Sequence, residues 1–156
     1  MGSFDEALAR YQDVLELDAE NQAALDAVEV LYTRTGNWYE LLSVLERKGA
    51  MVEADADRIG ILKKQAMIHE EQLEDRQSAI ACHQSLLELD PNDRDSLSAL
   101  HRLYAESEQS EDLHGVLLRQ LQMASADDDL ERVLSVRKEL ANLLLHGLEQ
   151  VSEAID

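Results

Sequence analysis

The sequence predicts an all-α protein of stacked antiparallel helix pairs, and three observations carry that expectation. One proline and six glycines punctuate 156 residues, too few turn residues for a protein of short strands. Apolar residues recur at the three-and-four spacing of an amphipathic helix. The chain also repeats itself. At a shift of 72 positions (79 − 7), Ala7 falls on Ala79, Leu15-Glu16-Leu17-Asp18 on Leu87-Glu88-Leu89-Asp90, Leu25 on Leu97 and Leu31-Tyr32 on Leu103-Tyr104. The same shift pairs Leu41 with Leu113, Val44-Leu45 with Val116-Leu117, Arg47 with Arg119 and Met51 with Met123. Beyond about residue 57 the shift becomes 75 (141 − 66), pairing Ala66 with Ala141, Leu73 with Leu148 and Ala79-Ile80 with Ala154-Ile155. Three extra residues are thereby expected in the second copy, most simply in the Asp127-Asp128-Asp129 loop.

Four apolar-periodic segments per copy give a helix pair about every 36 residues. Helices are expected near 4–17, 21–35, 38–52, 56–73, 75–89, 93–106, 110–124 and 128–147, with a ninth opening at about 150. The first carries Ala7 and Leu15, the second Leu25, Val28 and Tyr32, and Gly36-Asn37 breaks the second from the third. Asp90-Pro91-Asn92-Asp93 stops the fifth helix and starts the sixth, which carries Leu97, Leu100 and Tyr104. The seventh carries Leu113, Val116, Leu117 and Leu121, and the Asp127–Asp129 run offers an N-cap with favourable dipole charge to the eighth.

These segments resemble the tetratricopeptide repeats, whose unit is two antiparallel helices in about 34 residues. Ser78-Ala79-Ile80 through Leu86-Leu87-Glu88-Leu89-Asp90-Pro91-Asn92 is similar to the family's second helix and its closing proline. Glu6-Ala7-Leu8 through Leu15-Glu16-Leu17-Asp18 repeats it, with Ala19 in place of proline. The small residue expected at the helix crossing is Glu29 in one repeat and His101 in another, and Leu41 and Leu113 replace the usual alanine of the second helix. The resemblance implies a right-handed α-α superhelix, a solenoid of about nine helices forming one domain over 4–156: a partial repeat at 4–20, repeats at about 21–55, 56–92 and 93–127, and a partial repeat at 128–156. Residues 1–3 read as a cloning remnant. Both ends then fall inside a repeat, so a piece of a longer array is expected, with unfinished ends that associate between chains at high concentration.

Charge narrows the function. Thirty-three acidic side chains against 14 basic ones give −19, a surface that repels phosphate backbones and anionic lipid, so neither nucleic acid nor membrane is an expected partner. No apolar run approaches the roughly 20 residues of a membrane span. The single Cys82 fits a reducing compartment such as the cytoplasm.

No catalytic motif is recognisable. His69-Glu70-Glu71 lacks the second histidine of a metalloprotease helix, and neither Asp55-Ala56-Asp57 nor Asp127–Asp129 has a calcium loop's alternation and glycine. No glycine-rich loop cradles phosphate. Hence no metal, cofactor or enzymatic activity is expected. Cys82, one turn from Ala79 and Leu86, reads as a packed thiol, and His83, aligned with Tyr11, as an inter-helix contact. Tyr11, Tyr32 and Tyr104 are expected to point inward, Phe4 and Trp38 to share one equivalent packing site, and Tyr39 to face solvent.

The resemblance implies a concave groove lined by first helices that binds a protein or peptide partner. Its positions fall on Ala23, Asp26, Val30, Thr33 and Arg34, and on Asp95, Ser98, Arg102, Ala105 and Glu106; Lys63, Met67, Glu70, Lys138 and Asn142 lie between and after them. Arg34, Lys63, Arg102 and Lys138 put one cation on each first helix, a row suited to peptide carboxylates. A solvated charged face gives the same pattern. A binding scaffold, a structural spacer or self-assembly segment, and a regulatory array beside a catalytic domain elsewhere all remain open.

Overall fold

The structure, a computed structural model, describes residues 2–153, with side chains from 4 to 146. Among these are eight α-helices and no strand: α1 (Gly2–Leu17), α2 (Gln22–Thr35), α3 (Trp38–Met51), α4 (Asp55–Met67), α5 (Arg76–Leu89), α6 (Arg94–Glu106), α7 (Ser110–Ala126) and α8 (Leu130–Glu153). A five-residue π turn, Ile68–Gln72, closes α4. Two compact units, Met1–Leu89 and Asp90–Asp156, divide beside Pro91. Each helix packs on its neighbour in sequence, α1 on α2 through α4 on α5 in the first unit and α6 on α7 on α8 in the second.

The first core is built by Leu25, Val28 and Tyr32 of α2, Leu41, Leu42, Val44 and Leu45 of α3, and Ile68 of the π turn. Leu8 and Leu15 of α1, with Trp38, Ile61 and Leu73, close its edge. In the second unit Leu97, Leu100, Leu103 and Tyr104 of α6 are buried, and Leu117 of α7 meets Val136 and Leu140 of α8. Most of these are apolar positions that the internal repeat aligns, Leu25 with Leu97 and Leu45 with Leu117 among them; Leu42 and Leu140 align instead with His114 and Gln65.

Side-chain caps set the boundaries. The carboxamide of Asn21 accepts from Ala24 N–H (3.0 Å), Asp75 from Ser78 (3.1 Å), Asp93 from Ser96 (2.8 Å) and Asp129 from Arg132 (3.0 Å). Each satisfies one of the orphan amides at a helix start.

Four expectations need correction. The helix foreseen at 56–73 changes pitch at Ile68, where Leu73 N–H reaches Ile68 C=O and Asp75 N–H reaches His69 C=O, with Glu74 at φ 52°. This widened turn delivers Asp75 as the cap of α5. The ninth helix does not open at 150, because α8 runs unbroken to Glu153; the position aligned with Asp75 (75 + 75) is Gln150, so the capping carboxylate is missing. Ala154–Asp156, where that helix was to continue, lie outside the described residues. The three extra residues lengthen α7, 17 residues against 14 in α3, while the loops 52–54 and 127–129 are equally long. Finally, Tyr32 and Tyr104 are buried and Tyr39 is exposed as expected, but Tyr11 is 39% exposed and Phe4 41%. Within its unit α1 packs only on α2, so those two rings lie at the edge of that contact and are only partly covered, whereas Trp38 joins the core.

Gly36 ends α2 in the left-handed region, φ 72°, with its N–H on Tyr32 C=O. An added Cβ there would meet nothing closer than 3.9 Å, so Gly36→Ala carries only the dihedral penalty and should cost about 1 kcal/mol. Gly60, inside α4 with nothing within 4 Å of an added Cβ, should respond oppositely: Gly60→Ala stabilises by about 0.5–1 kcal/mol. Urea denaturation of both variants checks the two signs.

Candidate functional site

A side-chain ion pair at Glu29 links α2 to α4. Glu29 of α2 accepts from Lys64 Nζ of α4 at 2.6 Å and from Lys48 Nζ of α3 at 2.5 Å, and Lys48 also reaches Asp26 at 2.6 Å. Glu29 and Lys48 keep only 15% and 19% of their side-chain surface, so this is a largely covered junction of three helices. Burial by itself raises the Glu29 carboxyl, but the hydrogen bonds from Lys48 and Lys64 outweigh it and hold the group below its ordinary value. Burial likewise acts downward on Lys48, and the bonds to Asp26 and Glu29 overcome it and raise the ammonium.

The second unit repeats the junction with different chemistry. The shift of 72 takes Glu29 to His101 and Lys48 to Gln120, and the shift of 75 takes Lys64 to Glu139. His101 Nε2 lies 3.0 Å from Glu139 Oε2, tying α6 to α8. Buried Gln120 donates to Leu97 C=O at 3.2 Å and accepts from Arg132 at 3.4 Å. The carboxylate has moved from one side of the tie to the other.

These ties place the groove candidates. On α2, Asp26, Val30, Thr33 and Arg34 share one exposed face, and on α4 the exposed Lys63 and Met67 stand one turn apart. Val30 follows Glu29 and Lys63 precedes Lys64, so each face begins beside one end of the Glu29–Lys64 bond. Val30 is 56% and Met67 50% exposed. On α6, Asp95, Ser98 and Arg102 are exposed, as are Lys138 and Asn142 on α8, with Arg102 and Lys138 flanking His101–Glu139. Ser98 opens onto a cleft of about 300 Å³ between α6 and the α7–α8 turn, lined also by Arg94, Gln120, Asp127, Asp129 and Arg132.

Several candidates have partners within their own unit. Asp26 pairs with Lys48, and the Thr33 hydroxyl donates to Glu29 C=O at 2.8 Å. Arg34 lies 5.6 Å over the Phe4 ring, and Arg102 is 3.8 Å from Glu106. Glu70, placed in the groove by the repeat pattern, instead turns to α5 and meets His83 Nε2 at 2.8 Å.

Cys82 is half-buried, and burial together with the carboxylates of Asp75 and Glu46 pushes its thiol up. It stays protonated at neutral pH, a poor nucleophile. His69 Nδ1 stands 3.6 Å from Asp75, beyond hydrogen-bond reach. Among the described residues no three His, Cys, Asp or Glu side chains gather as a metal site would require, and no helix is long and apolar enough to cross a membrane.

The ionic ties were not foreseen from the sequence. Their signal was there: each copy places one carboxylate and one nitrogen-bearing side chain at its two tie positions, 29 and 64 in one and 101 and 139 in the other, and the order is reversed between copies.

No family model matches the chain, and neither does any curated protein.

Because the folded-state carboxyl of Glu29 is held down, its contribution to stability is complete above its ordinary value of 4.5 and is lost as pH falls through the lowered one. Glu29→Gln should therefore cost about 1–2 kcal/mol at pH 7, the scale of hydrogen bonds to a charged group. That difference should vanish in acid well below pH 4.5. Urea denaturation from neutral to acid pH measures it, and an undiminished gap in acid would contradict the assignment.

Proposed function

We propose that the chain is a noncatalytic protein-binding scaffold of tetratricopeptide type, a right-handed superhelix whose first helices present an extended peptide or a helix with its binding surface. The observation that carries this reading is the pair of ties, Glu29–Lys64 and His101–Glu139. They fix alternate helices to one another at equivalent points while leaving the flanking residues in solvent. In the first unit this yields exposed Val30 and Met67 bordered by Asp26, Thr33, Arg34 and Lys63; in the second, Asp95, Ser98, Arg102, Lys138 and Asn142 surround the corresponding tie. Apolar anchors within a charged rim are the usual arrangement for recognising a peptide or helix, the anchors supplying affinity and the charges register. No covalent chemistry or cofactor enters the proposal. At −19 the scaffold draws partners of basic character faster than acidic ones, and the preference fades as salt screens it.

Affinity capture tests the reading with two folded variants. Val30→Glu with Met67→Glu should reduce retention of the specific partner at least about tenfold, the loss expected for removing two anchors of roughly 1 kcal/mol or more each. Arg34→Glu with Arg102→Glu should weaken capture by removing the cations that hold the partner's carboxylates. Capture unchanged by both pairs would reject these faces as the binding surface.

A further inference from the structure

We propose that α1 of one copy of this chain docks on α8 of another, in the arrangement by which α5 docks on α4 inside the first unit. The inference goes beyond binding of a foreign partner and rests on α1 and on an α8 face that adjoins Lys138.

Helix α4 turns one face toward α5. Ile59, Leu62, Ala66 and Glu70 follow one another at helical spacing along it; Ala66 is 1% exposed, and the other three are partly buried. Helix α5 answers with Ala79, His83 and Leu86, all buried, and the 2.8 Å contact of His83 with Glu70 fixes the antiparallel register. The internal repeat supplies a second version of each partner. A shift of 75 carries the α4 face onto Leu134, Arg137, Ala141 and Leu145 of α8, and a shift of 72 carries the α5 face onto Ala7, Tyr11 and Val14 of α1. Both versions reach solvent: Leu134 is 68%, Leu145 56%, Tyr11 39% and Val14 38% exposed, Arg137 and Ala141 are exposed too, and Ala7 is partly covered.

What identifies a second copy as the occupant is that the two faces match in chemistry as well as position. The polar pair Glu70–His83 becomes Leu145 and Tyr11, so both members have turned apolar together. One turn on, Val14 falls opposite the small Ala141. At the far end Arg137 comes to the C-terminus of α1, where Glu16, Asp18 and the helix dipole all favour a cation. Because the faces differ, the contact is head to tail. Each copy carries −19, so bulk repulsion opposes the contact and added salt strengthens it.

Sedimentation equilibrium of the full chain tests this. The weight-average mass should rise from that of a monomer at about 10 μM to at least double at about 1 mM, as mass action requires for a weak site, and should rise further at higher salt. A monomer mass across that range in both salts would overturn the proposal. Tyr11→Asp blocks one face and Leu145→Asp the other, so each variant alone should remain monomeric, with helicity by circular dichroism showing that it is folded. An equimolar mixture should recover a 1:1 dimer and stop there, since each copy retains one competent face. Either variant associating alone like the parent, or a mixture that does not recover the dimer, would overturn the head-to-tail contact. Val14→Glu and Leu134→Glu repeat the design should a first variant lose helicity.

Discussion

Between α2, α3 and α4 the sequence supplies the largely covered carboxylate of Glu29, and a charge brought that far out of water needs a counter-charge close by. Lys48 and Lys64 meet that requirement from two other helices, so three helices are fastened through one side chain. Without those partners, burial would raise the Glu29 carboxyl and favour its neutral form. The second unit has the carboxylate on α8 and an imidazole on α6, at a more exposed position. The conserved quantity between the two copies is the complementarity of the pair, since neither residue type survives the exchange.

Covering apolar surface imposes the next constraint. A helix pair buries one face internally and leaves another to whatever lies beside it. Inside the first unit, α4 and α5 cover each other through a join made by the π turn and Asp75. The equivalent surface of α8 and that of α1 are left to solvent. The proposed binding role and the proposed head-to-tail association both draw on surface that the helices do not use among themselves, and on α8 the two surfaces adjoin at Lys138 and Ala141.

Much of the fold was legible because helical periodicity and a 72-residue repeat are statements about backbone phase, which the core positions reproduce: Leu25 with Leu97, Leu45 with Leu117, Tyr32 with Tyr104. What was not legible depended on neighbours in space. Tyr11 carries the same pattern as His83, yet it is exposed, because the pattern records which way a side chain points and not whether a helix lies opposite. The π turn at Ile68–Gln72 escaped notice because its apolar spacing differs little from that of an α-helix, and only the hydrogen bonds to Ile68 and His69 C=O reveal it. Of the groove candidates, Val30 and Met67 stand out in solvent as expected, while Glu70 was misplaced by an aligned position that holds no comparable partner in the other copy.

The longer α7 has a bearing on which insertions this architecture admits. Three residues advance a helix by about 4.5 Å and turn it through about 300°, short of a full circle by only about 60°. An added segment of that size returns the apolar stripe nearly to its original azimuth, and Ala124 at the lengthened end is accordingly still buried. One or two added residues would have swung the following stripe through about 100° or 200° and turned core positions toward water. Length variation between copies is thus quantised by the helical pitch: three- or four-residue steps can be absorbed inside a helix, and other lengths have to be accommodated in the turns.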